Sequence, residues 1–345
     1  MDLYIAAPVI RQRYASGDIA PIVRFTGENT DSRAISADTP QTLFETLPEK
    51  MPSAVSVAGI GSFALSMPAR QGRLSGKIVI VTGSARGFGE GIAAALLEHG
   101  CQMVYADLNG ELAQKNADAA NARYGASTAI AVTCDVGQEE SVENMMQSTV
   151  AAFGGLDLFV ANAGIVISGG LEDMTLRGFE LVTKVNYTAF FLGTKHAARV
   201  MRLQHEVNPA AMADIVQVNS KSGLEGSNKN FAYAGSKFGG IGLTQSFAKE
   251  LVLDGIKVNA VCPGNYLEGP LWMDPEKGLF SQYLKAGKVP GAKTVADVKA
   301  FYEAKVPMNR GCFPRDVARA ILYCVEQTYE TGQAIPVTGG QNMLS

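Results

Sequence analysis

The sequence predicts an α/β fold in which a mostly parallel sheet is covered on both faces by helices, and three observations predict it. Strand-like runs alternate with helical segments from about residue 75 to the C-terminus. The runs, such as KIVIVTG (77–83), are apolar at successive positions rather than at every second one, and glycines close several of them. Strands buried on both faces lack polar alternation, and strand–helix–strand repetition gives parallel pairing through crossovers.

In chain order, residues 1–74 stand apart as an N-terminal extension. GENTDSR and SADTPQ are polar and turn-rich there, and APIVRF and SAVSVAGIGSFAL are strand-like. The regular pattern begins at a seam near residue 75, so 75–345 reads as one domain. KIVIVTG is its first strand, and EGIAAALLEHG (90–100) is its first helix, closed by Gly100. CQMVYADL, TAIAVTCDV, LDLFVANAG, DIVQVNS, IKVNAVCPG and AIPVTGG complete seven strand-like runs. Helical segments fall near 111–123, 139–153, 176–203, 232–254 and 314–327. Residues from about 266 to 307, rich in Gly, Pro, Lys and aromatics, are long for a connection and predict a lid over a substrate pocket.

Composition narrows the function classes. The 345 residues are 47% hydrophobic, enough for a sizeable core, and a formal charge of −3 supplies no basic field for nucleic acid or an anionic membrane. Expected partners are small molecules or further copies of the chain. Cys101, Cys134, Cys262, Cys312 and Cys324 lack CxxC spacing, and their odd number suits reduced thiols. With only His99, His196 and His205 as histidines, and no HxH pattern, no metal is expected. No apolar run reaches the ~18 residues that span a bilayer, so the expected location is the cytoplasm.

The first strand-to-helix turn, TGSARGFGEG, sets Gly83, Gly87 and Gly89 in a G-x-x-x-G-x-G spacing. Backbone amides and a helix N-terminus can receive a pyrophosphate there, where missing Cβ atoms let it approach. Structural glycines in a tight turn would look the same. The next strand ends at Asp107, 24 residues beyond Gly83, near the ~20 expected for a carboxylate that accepts from an adenosine ribose. That carboxylate would repel a 2′-phosphate, whereas Arg86 within the turn would attract one. The carboxylate usually decides, so the expected cofactor is NAD. A plain helix cap is the other role open to Asp107.

TGSARGFG, CDV (134–136), ANAG (161–164), VN (185–186), NSKSG (219–223), Tyr233-AGS-Lys237 and CPG (262–264) occur in the order found in the short-chain dehydrogenase/reductase family. The chain resembles that family over about residues 73–345. The resemblance implies a Rossmann-type doubly wound domain with a mostly parallel seven-stranded sheet, matching the seven runs above, and an NAD-dependent dehydrogenase. It makes Tyr233 the catalytic acid/base. A free tyrosine is only ~0.1% phenolate at neutral pH, and lowering its pKa by ~3 units takes ~4 kcal/mol of anion stabilisation. Lys237, one helical turn on, is placed to supply that stabilisation and to bind the nicotinamide ribose. Ser220 corresponds to the serine that hydrogen-bonds the reacting oxygen, and Asn186 to the asparagine that holds a relay water behind the lysine.

The same resemblance assigns cofactor contacts to Gly83, Arg86, Gly87, Phe88, Gly89 and Asp107. It adds Asp135 with Val136 toward adenine, Asn162, Ala163 and Gly164 beneath the adenosine, and Pro263 with Gly264 beside the nicotinamide. One departure stands out: where the family commonly has a threonine after the PG pair, this chain has Glu268 and Gly269. A YxxxK pair alone is common on helix surfaces, and a protein that only senses NAD on this fold is the competing class. Such proteins typically lack the tyrosine or the lysine.

NSKSGLEGSNKNFAYAGSKFGGIGLTQSFAKEL, GNYLEGPLW, KVPMNRGCFPRDVARAILY and TGQAIPVTGGQ resemble a narrower group, the bacterial sorbitol-6-phosphate 2-dehydrogenases. That group oxidises the C2 hydroxyl of glucitol 6-phosphate to the ketone of fructose 6-phosphate with NAD. Phosphate needs cations or amide donors, and the candidates are Lys221, Asn265, Lys229 and Arg310, with Ser220 and Tyr233 on the reacting oxygen. GIGSFALSMPAR in the extension is similar to the tail of class II aldolase portions in fused aldolase–dehydrogenase proteins, which keeps another sugar or a short hydroxyaldehyde open as substrate. A structural arm packing on the sheet or on a neighbouring subunit is the preferred reading of residues 1–74. The Ala- and Gly-rich helices at 176–203 and 232–254 correspond to the family's paired interface helices, which implies a homodimer or homotetramer.

Overall fold

The computed structural model describes residues 1–17, 19–27, 34–276, 278–285 and 287–343, and it begins with a helix where the sequence offers only a short apolar run. α1 (Leu3–Arg13) is capped by Asp2, whose side chain accepts from the Ile5 amide, and it carries Pro8 inside it. Residues Ala6 to Gln12 are all buried, so no polar stripe marks the helix in the sequence. β1 (Ile22–Gly27), α2 (Pro40–Thr46), β2 (Ala54–Val57) and β3 (Gly61–Ser66) follow. β3 pairs antiparallel with both β1 and β2, so the strand-like runs of the extension form a three-stranded sheet of their own. Residues 28–33 of GENTDSR lie outside the described residues.

The main body then alternates as expected: β4 (Ile78–Thr82), α3 (Gly87–Leu97), β5 (Gln102–Asp107), α4 (Gly110–Tyr124), β6 (Ala129–Thr133), α5 (Glu139–Phe153) and β7 (Leu158–Ala161). The expected helix at 176–203 is divided. α6 (Leu176–Thr183) and α7 (Ala189–Val207) are separated by a π-helical turn at Lys184–Thr188. β8 (Ala213–Val218), α8 (Phe231–Leu251) and β9 (Ile256–Pro263) follow. The lid region contains α9 (Pro270–Met273), α10 (Leu279–Lys285) and α11 (Val295–Ala304), and α12 (Pro314–Glu326) and β10 (Ala334–Val337) complete the chain.

The seven strands lie in the order β10-β9-β8-β7-β4-β5-β6, and every neighbouring pair is parallel. The chain order reverses at β4, which has β5 on one side and β7 on the other. A crevice opens beyond the carboxyl ends of the strands at such a point, which is where doubly wound sheets bind their ligands. Alternate residues of β4 face opposite cores. Ile78 and Ile80 pack with α5, α7 and α8, whereas Val79 and Val81 pack with α3, α4 and α12.

The seam near residue 75 is a boundary of topology and not of packing. Ala6, Val9 and Ile10 of α1 and Val23 of β1 share one apolar core with Phe153, Leu156 and Met201. A Cβ on Gly154 would come within 2.6 Å of the Val23 side chain, so β1 sits directly on the end of α5. The extension thus rests on the helices α5 and α7 rather than on the sheet. Arg11, 1% exposed, fastens it: its guanidinium donates to both carboxylate oxygens of Asp157 at 3.1 and 2.7 Å and to the Gly76 carbonyl at 2.9 Å. Asp157 also accepts from the Ile78 amide at 2.7 Å, so the pair ties the extension to the first residue of β4.

Removing one member of a buried pair leaves the other charge uncompensated, at a cost of about 3–5 kcal/mol. Arg11→Met is therefore expected to lower unfolding stability by about that amount, and Arg11→Met combined with Asp157→Asn by much less. Urea unfolding of the three full-length proteins checks this; equal losses in the single and double variants would show that the charge pair is not what holds the extension.

Candidate active site

The turn between β4 and α3 is built around absent side chains. A Cβ on Gly89 would lie 2.0 Å from the Gly83 carbonyl oxygen, and one on Gly83 would lie 2.9 Å from Ala163 Cα. Gly87 has φ +67 with open space where its Cβ would be, so its conformation rather than crowding requires glycine. Asn162, at the end of β7, stitches the two central strands together. Its amide nitrogen donates to the carbonyls of Thr82 and Gly83 at 2.7 and 3.2 Å, while Thr82 Oγ1 accepts from the backbone amides of Asn162 and Ala163. This leaves the N-terminus of α3 facing the crevice, a cradle of the kind that receives a pyrophosphate.

Asp107, at the tip of β5, is held by the Ala85 and Asn109 amides, both at 2.9 Å. The cap of α4 is Asn109 instead, so the plain-cap reading of Asp107 does not hold. Arg86, at the N-cap of α3, is exposed and makes no side-chain cap bond. Asn116, which sequence reasoning missed, donates to the carbonyls of Ser84 and Ala85 and steadies the turn from α4. Asp135 accepts from the Gly137 amide at 2.9 Å. Phe88 stacks against Tyr266 with ring centroids 5.0 Å apart, and that contact joins the turn to the stem of the lid.

Across the crevice, α8 carries Tyr233 and, one turn later, Lys237. Lys237 is 4% exposed; its ammonium donates to the Val218 carbonyl at 3.0 Å and lies 5.6 Å from the centre of the Tyr233 ring. Asn186 is buried in the π-helical turn. Its carbonyl accepts from the Ile165 amide at 2.8 Å, and its amide nitrogen donates to the Ile165 carbonyl and to Ser236 Oγ. A cavity of about 20 Å³ beside Lys237 is lined by Asn186, Thr82 and Gln217 together with apolar side chains. That is room for one water with polar partners. A Cβ on Gly164 would come within 3.3 Å of Asn186 Oδ1 and 3.8 Å of Lys237 Nζ, so the glycine keeps this corner open.

Ser220 Oγ accepts from the Ser222 amide at 3.1 Å, and its hydroxyl is close enough to the Tyr233 phenol to lower the phenol's pKa. Burial raises the Tyr233 phenol above its ordinary value of 10.0, Ser220 opposes the rise, and Cys262 adds to it. Burial brings Lys237 itself down from 10.5 to about 8.

Comparison with known proteins agrees with this geometry. The family described as short chain dehydrogenase matches residues 77–274. The chain belongs to the short-chain dehydrogenase/reductase family. It is similar to sorbitol-6-phosphate 2-dehydrogenase of Escherichia coli (strain K12), with 34% identity over 271 residues, 78% of this chain and 99% of that protein. It is also 32% identical over 281 residues to mitochondrial borneol dehydrogenase of Lavandula x intermedia, 79% of this chain and 93% of that one. Among solved structures, sorbitol-6-phosphate 2-dehydrogenase from Erwinia amylovora matches with a TM-score of 0.69 and 34% identity, covering 77% of this chain and all (100%) of that chain. The protein is accordingly an oxidoreductase of a family that works with nicotinamide cofactors.

The other expected residues of this dehydrogenase divide into two groups. Lys221 follows Ser220 directly, in a 3-10 turn. Asn265, next to Gly264, lines a cavity of about 460 Å³ with Gly264, Arg310, Asp316 and Thr338. Arg310 is held by both oxygens of Asp316 at 2.6 and 3.1 Å, and Lys229 is exposed with φ +54. Glu268, at the place of the missing threonine, is paired with Lys299 of α11. The lid has an apolar cluster of its own, in which Trp272 packs on Phe280, Tyr283 and Tyr302.

The depressed pKa of Lys237 fixes the sign of a pH effect. Its charge opposes folding at neutral pH, and stability is gained as pH rises from 7 through about 8 toward 10.5. Relative to Lys237→Met, the wild type is expected to gain about 1 kcal/mol between pH 7 and pH 9. Urea unfolding at the two pH values measures this, and a constant difference would contradict the perturbed lysine.

Proposed function

We propose that this protein is an NAD-dependent dehydrogenase that interconverts the C2 hydroxyl of sorbitol 6-phosphate and the ketone of fructose 6-phosphate. The observation that carries the reading is the convergence of Ser220, Tyr233, Lys237 and Asn186 at the crevice of a chain that matches nearly the whole of a sorbitol-6-phosphate dehydrogenase. In oxidation, Ser220 and Tyr233 hold the substrate hydroxyl, and Tyr233 takes its proton. It acts in that step as the phenolate, which the nearby Lys237 charge favours, and the proton it gains leaves through a water beside Asn186. NAD, when bound, accepts the hydride. The glycine cradle, with Asn162, Ala163, Gly164, Asp135, Val136, Pro263 and Gly264 around it, would position the cofactor against this group.

The preference for NAD rests on Asp107, whose carboxylate is fixed at the tip of β5, where ribose hydroxyls would be received and a 2′-phosphate repelled. Arg86, being exposed and uncommitted, does not outweigh it. Self-association as a homodimer or homotetramer is supported by the outer faces of α7 and α8, where Phe191 and Phe238 are 43% and 47% exposed. No helix among the described residues is long and apolar enough to cross a membrane, which fits the proposed cytoplasmic location.

NADH oxidation followed at neutral pH with fructose 6-phosphate, rhamnulose phosphate and unphosphorylated ketoses tests the substrate; turnover with none of them defeats the reading. Tyr233→Phe is expected to lower kcat about 10²–10⁴-fold, the range of general acid–base catalysis, while the fold survives. Asp107→Ser is expected to shift the NADH-to-NADPH ratio of kcat/KM at least about tenfold toward NADPH, equivalent to ~1.4 kcal/mol. A wild type that prefers NADPH would refute the role given to Asp107.

A further inference from the structure

The π turn at Lys184–Thr188 serves two places at once. Asn186 reaches Ser236 and the Ile165 backbone, whereas Lys184 lies across Gly137, in the turn that follows β6. A Cβ on Gly137 would come within 2.7 Å of Lys184 Cε, 3.1 Å of its Cγ and 3.3 Å of Asp135 Oδ1. The lysine stem therefore takes the space that the glycine leaves, and it ends beside the Asp135 carboxylate. Val136 and Val185, the next residue in each segment, line one small cavity together.

The two charges lie close without pairing. Among the described residues Lys184 forms no ion pair. Glu139, at the start of α5, is taken by Lys195 and His196 at 2.6 and 3.1 Å. Asp135 Oδ1 accepts from the Gly137 amide at 2.9 Å, and Oδ2 accepts from no group among the described residues. An acceptor and a donor are thus left side by side. Adenine carries the complement, because its amine donates and the neighbouring ring nitrogen N7 accepts.

The position in the fold agrees. A dinucleotide with its pyrophosphate at the N-terminus of α3 and its adenosine ribose at Asp107, the tip of β5, would carry its adenine past that strand. The next strand is β6, which ends at Thr133, two residues before Asp135.

We propose that Lys184 is a further cofactor-binding residue, which donates to the adenine ring while Asp135 accepts from its amine. This rests on the dinucleotide reading above, but on neither the sugar substrate nor the choice between NAD and NADP, since both cofactors carry adenine. A π turn suits the task, because its added residue changes which side chains face inward, and such turns are frequent at functional sites. The sequence does not mark Lys184, because its contact is with a glycine on a distant segment.

Equilibrium binding to the full-length protein tests this in the wild type, in Lys184→Met, which keeps the stem over Gly137 without the charge, and in Lys184→Arg, which keeps donors. Dissociation constants are measured for NADH and NADPH, by nicotinamide fluorescence, and for ADP-ribose, by calorimetry. Lys184→Met is expected to weaken NADH and ADP-ribose alike by at least about fivefold, as for the loss of one net hydrogen bond, and Lys184→Arg to keep most of the affinity. A change within about twofold in Lys184→Met overturns the assignment. So does a loss for NADH that ADP-ribose does not share, which puts the effect away from the adenine. Equal losses in the two variants assign Lys184 to packing on Gly137 and also overturn it. A wild type that prefers NADPH, with ADP-ribose still dependent on Lys184, supports the lysine while refuting the role given to Asp107; a wild type that binds neither dinucleotide overturns both.

Discussion

Burial of the Lys237 ammonium is the constraint around which the crevice is organised. A charge removed from water needs hydrogen-bond partners, and here it has the Val218 carbonyl at the end of β8 and a polar cavity lined by Asn186, Thr82 and Gln217. The surrounding backbone gives way to it. The helix before α7 opens into a π turn that brings Asn186 inward, and position 164 carries no Cβ. Asn219 donates to the Lys237 carbonyl at 2.9 Å and so fixes α8 against the turn that presents Ser220. Moving the lysine would disturb serine, tyrosine and asparagine together.

Close approach of α8 to the sheet depends on small residues. A Cβ on Gly240 would come within 2.5 Å of the Gln217 side chain, and one on Gly239 within 2.7 Å of the Tyr187 ring. Ala234 and Ser236 are buried, whereas Gly235 and Gly242 face open space on the outer side of the helix. One helix thus combines an inner face packed closely on its neighbours with glycines that leave open space on its outer side. At the opposite end of the sheet, Asp157 binds both Arg11 and the first amide of β4. The strand whose far end leads into the glycine turn is therefore braced by the N-terminal extension.

The main fold was largely legible in the sequence because its signals are local. Each of the seven strands is a short apolar run, and the glycine turn, Asp107 and the Tyr233–Lys237 pair lie within a few residues of the elements that present them. The extension was less legible. α1 is buried along most of its length and contains a proline, so neither periodicity nor propensity marks it. The π turn was hidden for a similar reason: a single added residue in a helix leaves the apolar pattern almost intact.

The sequence by itself determined the order of strands and helices, the turn that can receive a pyrophosphate, and the residue types able to move a proton at the end of β8. Those depend on neighbours along the chain. Only the tertiary structure decided which charges are spoken for and which are free. Arg310 is neutralised by Asp316 and Glu268 by Lys299, and the lid has an aromatic core of its own. Pairing and burial of charge arise from contacts between distant segments, and such contacts set both the pKa of Lys237 and the groups left to meet a substrate.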